Sequence, residues 1–526
     1  MGKILVSDGI ADEGLKILTS SNIEVDVRKK TSAEELLELI PAYEGLIVRS
    51  ATKVTDDIIK KGNKLKIIGR AGIGVDNVDV VAATKKGIIV MNTPGGNSIT
   101  TAEHTLAMIM SMARRIPQAT ASLKEGKWEK NKFMGVELYN KVLGIIGFGN
   151  IGSILADRAI GLKMRVIVYD PFITEEKAAK VGAKKVELDE LYKTADIISV
   201  HTPVTKETKG MLNKSVFEKM KKGVMLVNCA RGGIINETDL YEALQSGKVS
   251  SAALDVFEVE PPVEHPLLKL ENLIATPHLG ASTHEAQVNV SVDIAKQFVA
   301  YFTKGEINNA VNYPSISGEM YPYLEPYIRL AEKLGSFMGQ LYKNSVNEFT
   351  IEYSGEVTEL NTQPVTIASL KGYLQKIYGE EVNYINANML ARESGLSVSE
   401  TRTSQALDFT NMITIKLNTK QGVRRISGAV LGKKHARITM IENFYIEAIP
   451  EGNILVLRNQ DKPGVIGNLG TYLGKHNINI ARMELGRESV GSGAIALLNI
   501  DDEPSEEIMN GLSKLDNVIS VEKVIL

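Results

Sequence analysis

Several short apolar runs between residues 141 and 278 are followed directly by side chains that bind anions or move protons. Arg231, Asp255 and His278 lie at or just after such runs, and Glu260 follows Asp255 by a few residues. The carboxyl ends of parallel strands meet at one edge of an open sheet, so we expect these side chains to converge on one crevice. A cation, a carboxylate and an imidazole suit a reaction that removes a proton and holds an anion.

The roles of three residues follow from their chemistry. Of the seven histidines, His278 is the best candidate for a general base, because it follows an apolar run and precedes the flexible Gly280 turn. Glu260 is its candidate partner, since a carboxylate bonded to imidazole stabilises the charged ring. Arg231 is the candidate carboxylate ligand, because a guanidinium grips a carboxylate through two parallel bonds. Singly, each could be an ordinary core or surface residue; together at strand ends they favour catalysis.

The run GFGNIG, residues 147–152, indicates a dinucleotide site. An apolar strand at 142–146 precedes it, a helix from Ile151 to about Ala159 follows, and the next strand ends at Asp170. Gly147, Gly149 and Gly152 permit a tight turn and close approach of a pyrophosphate to the helix N-terminus. A carboxylate at Asp170 binds ribose hydroxyls and repels a 2′-phosphate, which favours NAD over NADP. The alternative is a glycine-rich turn with a solvated Asp170. With the candidate base and cation, NAD predicts hydride transfer from a 2-hydroxy acid.

Alternating strand and helix patterns must position these groups. Runs such as KILVS, GLIVRS and GIIVMN fill the first hundred residues, and KVLGIIG, DIISVHT and NLIATPH belong to a second set. This rhythm predicts two α/β units with parallel sheets. Between them we predict a helix from Thr100 to Arg115 with Asn97 and Ser98 as caps, and a further helix follows the second set to about Lys304.

The C-terminal third has a different pattern. Residues 312–322 contain three prolines or glycines and read as a linker. Residues 323–450 predict a leading helix, strands at NEFTIEYSG and MITIKLNT and a helix-rich middle. From Gly452 the order is β-α-β-β-α-β, with Ser505 as cap of the second helix.

Composition excludes several classes of protein. The chain has 526 residues, a formal net charge of -2 and a single cysteine, Cys229. The balanced charge argues against nucleic acid or a membrane surface as main partner, and one cysteine excludes an internal disulfide framework. No run approaches the length needed to span a bilayer, and no signal peptide is visible. We therefore expect a soluble cytoplasmic protein.

The motifs resemble those of a known family. ARGGIINE, DVFEVEPP and ATPHLGAST are similar to signatures of the D-isomer-specific 2-hydroxyacid dehydrogenases, whose catalytic arginine, glutamate and histidine fall on Arg231, Glu260 and His278. VRSATKVT, GRAGIGVDNVD and the segment from NTPGGNSITTAEHT to KWEK resemble the branch of this family that acts on 3-phosphoglycerate. The resemblance covers essentially the whole chain. It implies NAD-dependent oxidation of 3-phosphoglycerate, the first step of phosphorylated serine biosynthesis.

The resemblance also implies which residues line the sites. The substrate pocket would contain His278 and the following residues: Arg49, Ser50, Gly72, Gly74, Asn97 and Arg231. The dinucleotide site would add to the glycine motif and Asp170 the following residues: Asn150, Ile151, Thr202, Cys229, Ala230, Arg231, Asp255, His278 and Gly280. Asp255 is expected near the nicotinamide carboxamide, and no metal is expected. Ile73 stands where some relatives carry threonine, so a side-chain contact there must be absent.

By the same resemblance the chain divides into four units. A flavodoxin-like substrate-binding domain comprises residues 1–97 and 285–312, and a Rossmann domain comprising residues 98–284 is inserted in it. An α+β intervening domain follows at residues 315–450. The β-α-β-β-α-β unit at residues 452–526 resembles an ACT domain, which has a ferredoxin-like fold.

The C-terminal units suggest regulation. The run DKPG opens the first ACT helix, so free backbone amides face any bound carboxylate. The resemblance suggests L-serine as feedback inhibitor, with Asp461, Gly464 and Asn479 as effector residues; a plain dimerisation domain is the alternative. A basic run in the intervening unit predicts either an anion site or a solvated face, and comprises Arg424, Arg425, Lys433, Lys434, His435 and Arg437.

Three points stay open from sequence. Arg49 is the first choice for the substrate phosphate, although Lys130 and Lys132 beside Trp128 could reach it from a neighbouring subunit or form a solvated loop. The substrate could be another acid, such as glyoxylate or D-lactate, or the chain could be an NAD-sensing scaffold without turnover. Paired nucleotide and ACT domains predict a homo-oligomer, a dimer of dimers.

Overall fold

The named strands of the described residues form four sheets. The structure, a computed structural model, describes residues 2–314, 320–342, 346–405, 409–432 and 434–526. The first two sheets are parallel, the third is mixed and the fourth is antiparallel. The predicted fold class, two doubly wound α/β units followed by α+β and ferredoxin-like units, is confirmed.

The first sheet has the strand order β2-β1-β3-β4-β5. Its strands are β1 Lys3–Val6, β2 Glu24–Val27, β3 Gly45–Val48, β4 Ile67–Arg70 and β5 Ile89–Met91. The helices of this segment are α1 Asp12–Thr19, α2 Ala33–Leu39, α3 Asp56–Lys61 and α4 Val80–Lys85. The central strand β3 is buried throughout, because helices cover both faces of a parallel sheet.

Two helices lead to the second unit, α5 Ser98–Arg114 and α6 Ile116–Lys124. The predicted capping of α5 is wrong. The Asn97 side chain makes no capping hydrogen bond, and the Ser98 hydroxyl donates to the Pro94 carbonyl instead. The buried face of α5 packs against the second sheet through Ile109 and Met112, so α5 joins the two α/β units.

The second sheet has the order β12-β11-β10-β9-β6-β7-β8, the doubly wound order of nucleotide-binding sheets. Its strands are β6 Val142–Ile146, β7 Arg165–Tyr169, β8 Lys184–Lys185, β9 Ile197–Val200, β10 Val224–Asn228, β11 Val249–Leu254 and β12 Leu273–Ala275. Its helices are α7 Asn150–Gly161, α8 Glu175–Ala179, α9 Leu188–Thr194, α10 Lys214–Lys219 and α11 Glu237–Gln245. The two-residue β8 was not predicted, since it lacks an apolar run.

The chain then returns to the first sheet through α12 His284–Lys304. Thr283 caps this helix by accepting a hydrogen bond from the Ala286 amide. Phe298 and Ile294 are fully buried and lie against Gly69 of β4, where a larger residue would displace them.

The third sheet has the order β14-β13-β15-β16-β17-β18. Its strands are β13 Val346–Gly355, β14 Ser397–Thr403, β15 Asn411–Thr419, β16 Gly422–Leu431, β17 His435–Ile441 and β18 Phe444–Ala448. The helices are α13 Tyr321–Leu341, α14 Gln363–Tyr378 and α15 Ala387–Glu393. The meander from β16 to β18 was not predicted, because charged residues on its exposed positions interrupt the apolar pattern. Part of the predicted linker, residues 315–319, and Lys433 lie outside the described residues.

The fourth sheet has the order β20-β21-β19-β22. Its elements are β19 Asn453–Gln460, α16 Val465–Lys475, β20 Ile480–Arg487, β21 Gly493–Ile500, α17 Glu506–Leu512 and β22 Val518–Ile525. The Ser505 hydroxyl accepts a hydrogen bond from the Ile508 amide, as expected of a cap.

Two negative findings apply to the described residues. None of their helices combines the length and apolarity needed to cross a membrane. Nor do they contain three or more His, Cys, Asp and Glu side chains grouped to hold a metal ion.

The helices α13 and α14 touch backbone to backbone through glycines. A Cβ on Gly335 would collide with the Ser369 carbonyl, and a Cβ on Gly372 would collide with the Glu332 carbonyl. These contacts leave no flexible atom to move aside, so the helices can approach only where both surfaces lack side chains.

We predict that Gly335→Ala destabilises this part of the protein by about 1–3 kcal/mol, because overpacking forces the helices apart. Thermal melting measures the effect. Gly161→Ala is the matched control, since nothing lies within 4 Å of a Cβ there. An unchanged melting curve for Gly335→Ala would show that the helix contact adapts.

Candidate active site

His278 and Glu260 meet at the carboxyl edge of the second sheet. The His278 Nδ1 atom lies 2.8 Å from Glu260 Oε2, and both side chains are partly exposed. The other oxygen of Glu260 accepts a hydrogen bond of 3.1 Å from the Phe257 amide, which fixes the carboxylate. Since Nδ1 is occupied by Glu260, Nε2 is the ring nitrogen left to exchange a proton with a substrate.

Asp255 holds the turn that carries His278. Its buried carboxylate accepts hydrogen bonds from the Thr276 hydroxyl at 2.6 Å and from the amides of Leu279 and Gly280 at 2.7 and 2.8 Å. Its backbone carbonyl accepts from the His278 amide. His278 has a φ of +55°, a conformation that a non-glycine residue keeps only where the surroundings impose it.

Arg231 lies beside the first unit. Its Nε donates to Asp76 at 2.9 Å, and its Nη1 donates to the Ala230 carbonyl at 2.7 Å. The guanidinium covers Gly74 so closely that a Cβ there would collide with it. Gly74, the last glycine of GRAGIG, is therefore required for Arg231 to take this position.

A cavity of about 670 Å³ lies between the two α/β units. Its lining contains the following predicted site residues: Arg49, Ser50, Gly72, Asn97, Asp255, Glu260 and His278. Arg231 and Gly74 are not part of this lining, and the Asp76 ion pair holds Arg231 at the side. The structure thus brings His278 and Glu260 together with most of the predicted substrate residues.

The glycine motif forms an open cradle at the start of α7. Gly147 has a φ of +93°, and a Cβ there would collide with the His201 carbonyl. A Cβ on Gly152 would collide with the Gly147 carbonyl. Nothing lies within 4 Å of a Cβ on Gly149, which leaves space above the helix N-terminus. Asn150 and Ile151 are the first residues of that helix, so their amides face the same space.

The remaining predicted cofactor residues line the same edge. Asp170 accepts hydrogen bonds of 2.8 Å from the amides of Phe148 and Phe172. The buried Thr202 hydroxyl has no hydrogen-bond partner among the described residues. Cys229 is buried behind the edge, and the Ala230 amide donates to Asn228. An open cradle, an orphaned hydroxyl and an acidic strand end fit a dinucleotide with free ribose hydroxyls.

Three family models match the chain. They are the D-isomer specific 2-hydroxyacid dehydrogenase NAD binding domain at residues 106–280, the D-3-phosphoglycerate dehydrogenase intervening domain at 323–442 and the ACT domain at 453–517. The first match contains the glycine cradle and the His278 turn. It establishes an NAD-dependent oxidoreductase and NAD as the cofactor.

Curated relatives match along the full length. The D-3-phosphoglycerate dehydrogenase of Bacillus subtilis is 44% identical over 100% of this chain and 99% of that protein. The Archaeoglobus fulgidus protein of the same name is 43% identical over 98% of each. The chain belongs to the D-3-phosphoglycerate dehydrogenase family. The human family member is 45% identical, over 77% of this chain and 76% of that protein.

Solved structures resemble the first two units. The D-lactate dehydrogenase from Aquifex aeolicus complexed with NAD and lactic acid matches with a TM-score of 0.53 and 29% identity, over 59% of this chain and all of that one. The TT0316 protein from Thermus thermophilus matches with a TM-score of 0.55 and 32% identity, over 59% of this chain and 99% of that chain.

Sequence reasoning missed Arg70, which also lines the cavity. Burial, with Arg231 nearby, lowers the pKa of Arg70 to about 10. Its Nε has no partner among the described residues, and its guanidinium fills the position that a Gly72 side chain would occupy. The signal was present in GRAGIG, where Arg70 ends an apolar strand two residues before Gly72.

Other supporting residues were also missed. Gln287 of α12 accepts a hydrogen bond from the Arg49 guanidinium, and Asp76 pairs with Arg231. His104 Nε2 lies 3.3 Å from Asp255 and Thr276. Burial alone would raise the pKa of Asp255, but hydrogen bonds from His104 and Thr276 lower it. No spacing rule connects these residues, since each comes from a distant part of the chain.

The predicted effector residues already have partners in the same chain. Asp461 accepts hydrogen bonds from the Gly491 amide at 3.1 Å and from Arg487 at 3.2 Å, and these contacts lower its pKa. Asn479 donates to Asp501 at 2.8 Å. Gly464, with a φ of +93°, precedes α16. In the basic run, Arg424 and Arg425 lie on β16 and Arg437 lies on β17.

His201 behind the glycine cradle predicts a pH effect on stability. Burial lowers the pKa of His201 to about 4, whereas an unfolded histidine titrates near 6.5. As the pH falls below about 6.5, only the unfolded state takes up this proton, so stability falls by about 1.4 kcal/mol per pH unit until the folded ring also titrates.

We therefore predict that replacing His201 with Asn flattens the loss of stability between pH 6.5 and pH 4. Urea unfolding of both proteins at several pH values gives the difference, which cancels the groups that both share. Parallel pH curves would mean that His201 takes up its proton at the same pH in the folded and unfolded states.

Proposed function

We propose that this protein oxidises D-3-phosphoglycerate to 3-phosphohydroxypyruvate with NAD⁺, the first step of the phosphorylated serine pathway. The observation that carries the proposal is the His278–Glu260 pair in a cavity that also contains Arg49 and Arg70. A proton acceptor beside two cations suits a hydroxy acid that carries a second anionic group. The full-length relatives, named for this activity, support the same substrate.

The proposed roles follow the geometry. When bound, NAD supplies the carbon that accepts the hydride from C2 of the substrate. His278 takes the hydroxyl proton on Nε2, and Glu260 stabilises the resulting imidazolium through Nδ1. Arg231 exchanges its single hydrogen bond to Asp76 for the substrate carboxylate, which a guanidinium binds through two parallel hydrogen bonds. Asp255 keeps the His278 turn in place at the sheet edge where NAD would bind.

The substrate phosphate is the natural partner of Arg49 and Arg70. Both line the cavity, and burial disfavours the charge of Arg70 unless an anion neutralises it. Lys130 and Lys132 lie on an exposed 3-10 helix, and we propose them as the phosphate ligands that a second subunit would supply if Arg49 and Arg70 do not bind the phosphate.

An assay with a panel of D-2-hydroxy acids tests the function. We expect a strong preference for 3-phosphoglycerate over D-lactate and glycolate, because only the phosphate engages Arg49 and Arg70. His278→Ala should reduce kcat by roughly 10²- to 10⁴-fold, the usual contribution of a general base. NADH binding, followed by fluorescence, should be unchanged in the variant. Preference for an unphosphorylated acid points to another dehydrogenase, and no turnover with any acid points to an NAD-sensing scaffold.

We propose L-serine as a feedback inhibitor that binds at the start of α16. The amides after Gly464 are free to hold its carboxylate, and Asp461 and Asn479 supply polar groups nearby. The ACT match at residues 453–517 supports a small-molecule effector.

Serine titrations of three variants test this site. Asp461→Asn keeps an oxygen for the Gly491 amide but loses the charge. We expect Asp461→Asn and Asn479→Ala, each made singly, to weaken serine inhibition at least tenfold while basal activity stays intact. Asp502→Ala on the exposed neighbouring turn is the control. Undiminished inhibition in both site variants would place the effector elsewhere.

We further propose a homo-oligomer, a dimer of dimers, in the cytoplasm. Exposed apolar side chains occur along α6 and the segment after it: Ile116, Leu123, Trp128, Met134 and Tyr139. An exposed apolar surface of this kind is typical of a subunit interface.

We also propose the four predicted domain ranges. The ranges of the two α/β units agree with the return of α12 to the first sheet.

A further inference from the structure

The loop that carries Glu260 has little packing of its own. It runs from Val256 to Pro266 between β11 and a short 3-10 turn. Val259 and Val263 are 72% and 78% exposed, so apolar burial does not fix the middle of the loop. Nevertheless Glu260 must stay within hydrogen-bond distance of His278. The contacts at the two ends of the loop therefore decide where Glu260 lies.

A single carboxylate joins both ends of this loop. Glu237 Oε1 accepts a hydrogen bond of 2.6 Å from the Glu258 amide, and Glu237 Oε2 lies 3.0 Å from His265 Nε2. Both side chains are largely buried. We call this set of contacts, made by Glu237, the Glu258 amide and His265, the Glu237 bridge.

The hydrogen-bond pattern defines which ring nitrogen of His265 carries the proton. His265 Nδ1 accepts a hydrogen bond from the Leu267 amide at 3.3 Å, so the ring proton lies on Nε2 and points to Glu237. The His265 ring also packs against Phe257, with 5.7 Å between the ring centres. Phe257 in turn donates its amide to Glu260 Oε1. The bridge thus connects directly to the contact that orients Glu260.

The Glu237 bridge is anchored on the segment that supplies Arg231. Glu237 is the first residue of α11, where the helix dipole favours a carboxylate. Six residues earlier Arg231 binds Asp76, and a Cβ on Gly232 would collide with the Phe257 carbonyl. One segment, residues 231–237, therefore contacts the loop at its start through Gly232 and at both ends through Glu237.

We infer that Glu237 and His265 are positioning residues: their hydrogen bonds order the 256–266 loop and keep Glu260 on His278. Neither residue is part of the lining of the cavity that contains His278. The inference rests on the proposed function only for the choice of substrate in the kinetic test.

A matched pair of variants separates the hydrogen bond from simple packing. His265→Gln keeps an N–H donor for Glu237 but loses the ring, whereas His265→Phe keeps the ring against Phe257 but loses the donor. We expect His265→Phe to reduce kcat about tenfold with little change in KM or NADH affinity, and His265→Gln to retain most of the activity. The opposite order, an active Phe variant and an impaired Gln variant, would show that His265 acts by packing alone.

A double-mutant cycle tests whether the bridge acts through Glu260. In a Glu260→Gln background, His265→Phe should reduce kcat less than twofold further, because the contact it supports is already impaired. Independent, multiplying effects of the two substitutions contradict the inference.

Hydrogen–deuterium exchange tests the same point without turnover. Exchange in residues 256–266 should rise in His265→Phe and stay near the unchanged protein in His265→Gln, with β11 and α11 protected in both. Unchanged exchange in the Phe variant overturns the bridge, whatever substrate the enzyme takes. Failure of the substrate assay alone leaves this comparison intact and counts only against the proposed function.

Discussion

The active site depends on one buried negative charge, the carboxylate of Asp255 at the end of β11. A buried carboxylate is stable only where hydrogen bonds replace water, and Thr276, the Leu279 amide and the Gly280 amide supply them. Because two of these donors are backbone groups next to His278, satisfying the charge also determines the path of the turn. The left-handed conformation of His278 is a consequence. Removing the charge would free the turn and with it the base.

A second constraint is the repulsion among cations. Arg49, Arg70 and Arg231 approach the same crevice, and Arg231 contributes to the lowered pKa of Arg70. Asp76 and Gln287 occupy two of these guanidinium groups in the structure, whereas the Nε of Arg70 has no partner among the described residues. A ligand with two anionic groups can place one group against Arg231 and the other against Arg49 and Arg70, which relieves the repulsion at both positions. An acid with a single carboxylate can relieve it at only one of them. The charge arrangement therefore bears on substrate choice as well as binding.

Sequence alone predicted the elements whose residues are close in the chain. The glycine turn, Asp170 and the strand ends follow from local patterns, since a glycine cradle needs a strand before it and a helix after it. Arg70 and the Glu237 bridge were missed because their roles depend on contacts between distant segments. The meander from β16 to β18 was missed for a local reason: the consecutive residues Arg424 and Arg425 interrupt the apolar pattern of β16. Periodicity thus identifies elements, whereas the residues that support a site appear only once those elements are packed.

The packing of the C-terminal third determines which contacts connect the proposed effector site to the active site. The third and fourth sheets share one apolar core, in which Phe337 of α13 lies with Val456 and Leu497 of the ACT sheet. Tyr342, next to α13, also accepts a hydrogen bond from Arg458 of β19 and donates to Glu442. This core joins the two sheets through one face of the fourth sheet, and α16 packs against the opposite face of that sheet. At the other side Ile385 lies in the core of the first sheet, and Asn383 donates to the Gly87 carbonyl just before β5. The segment after β5 contains Asn97, so this junction connects the unit of the third sheet to a part of the chain that lines the cavity.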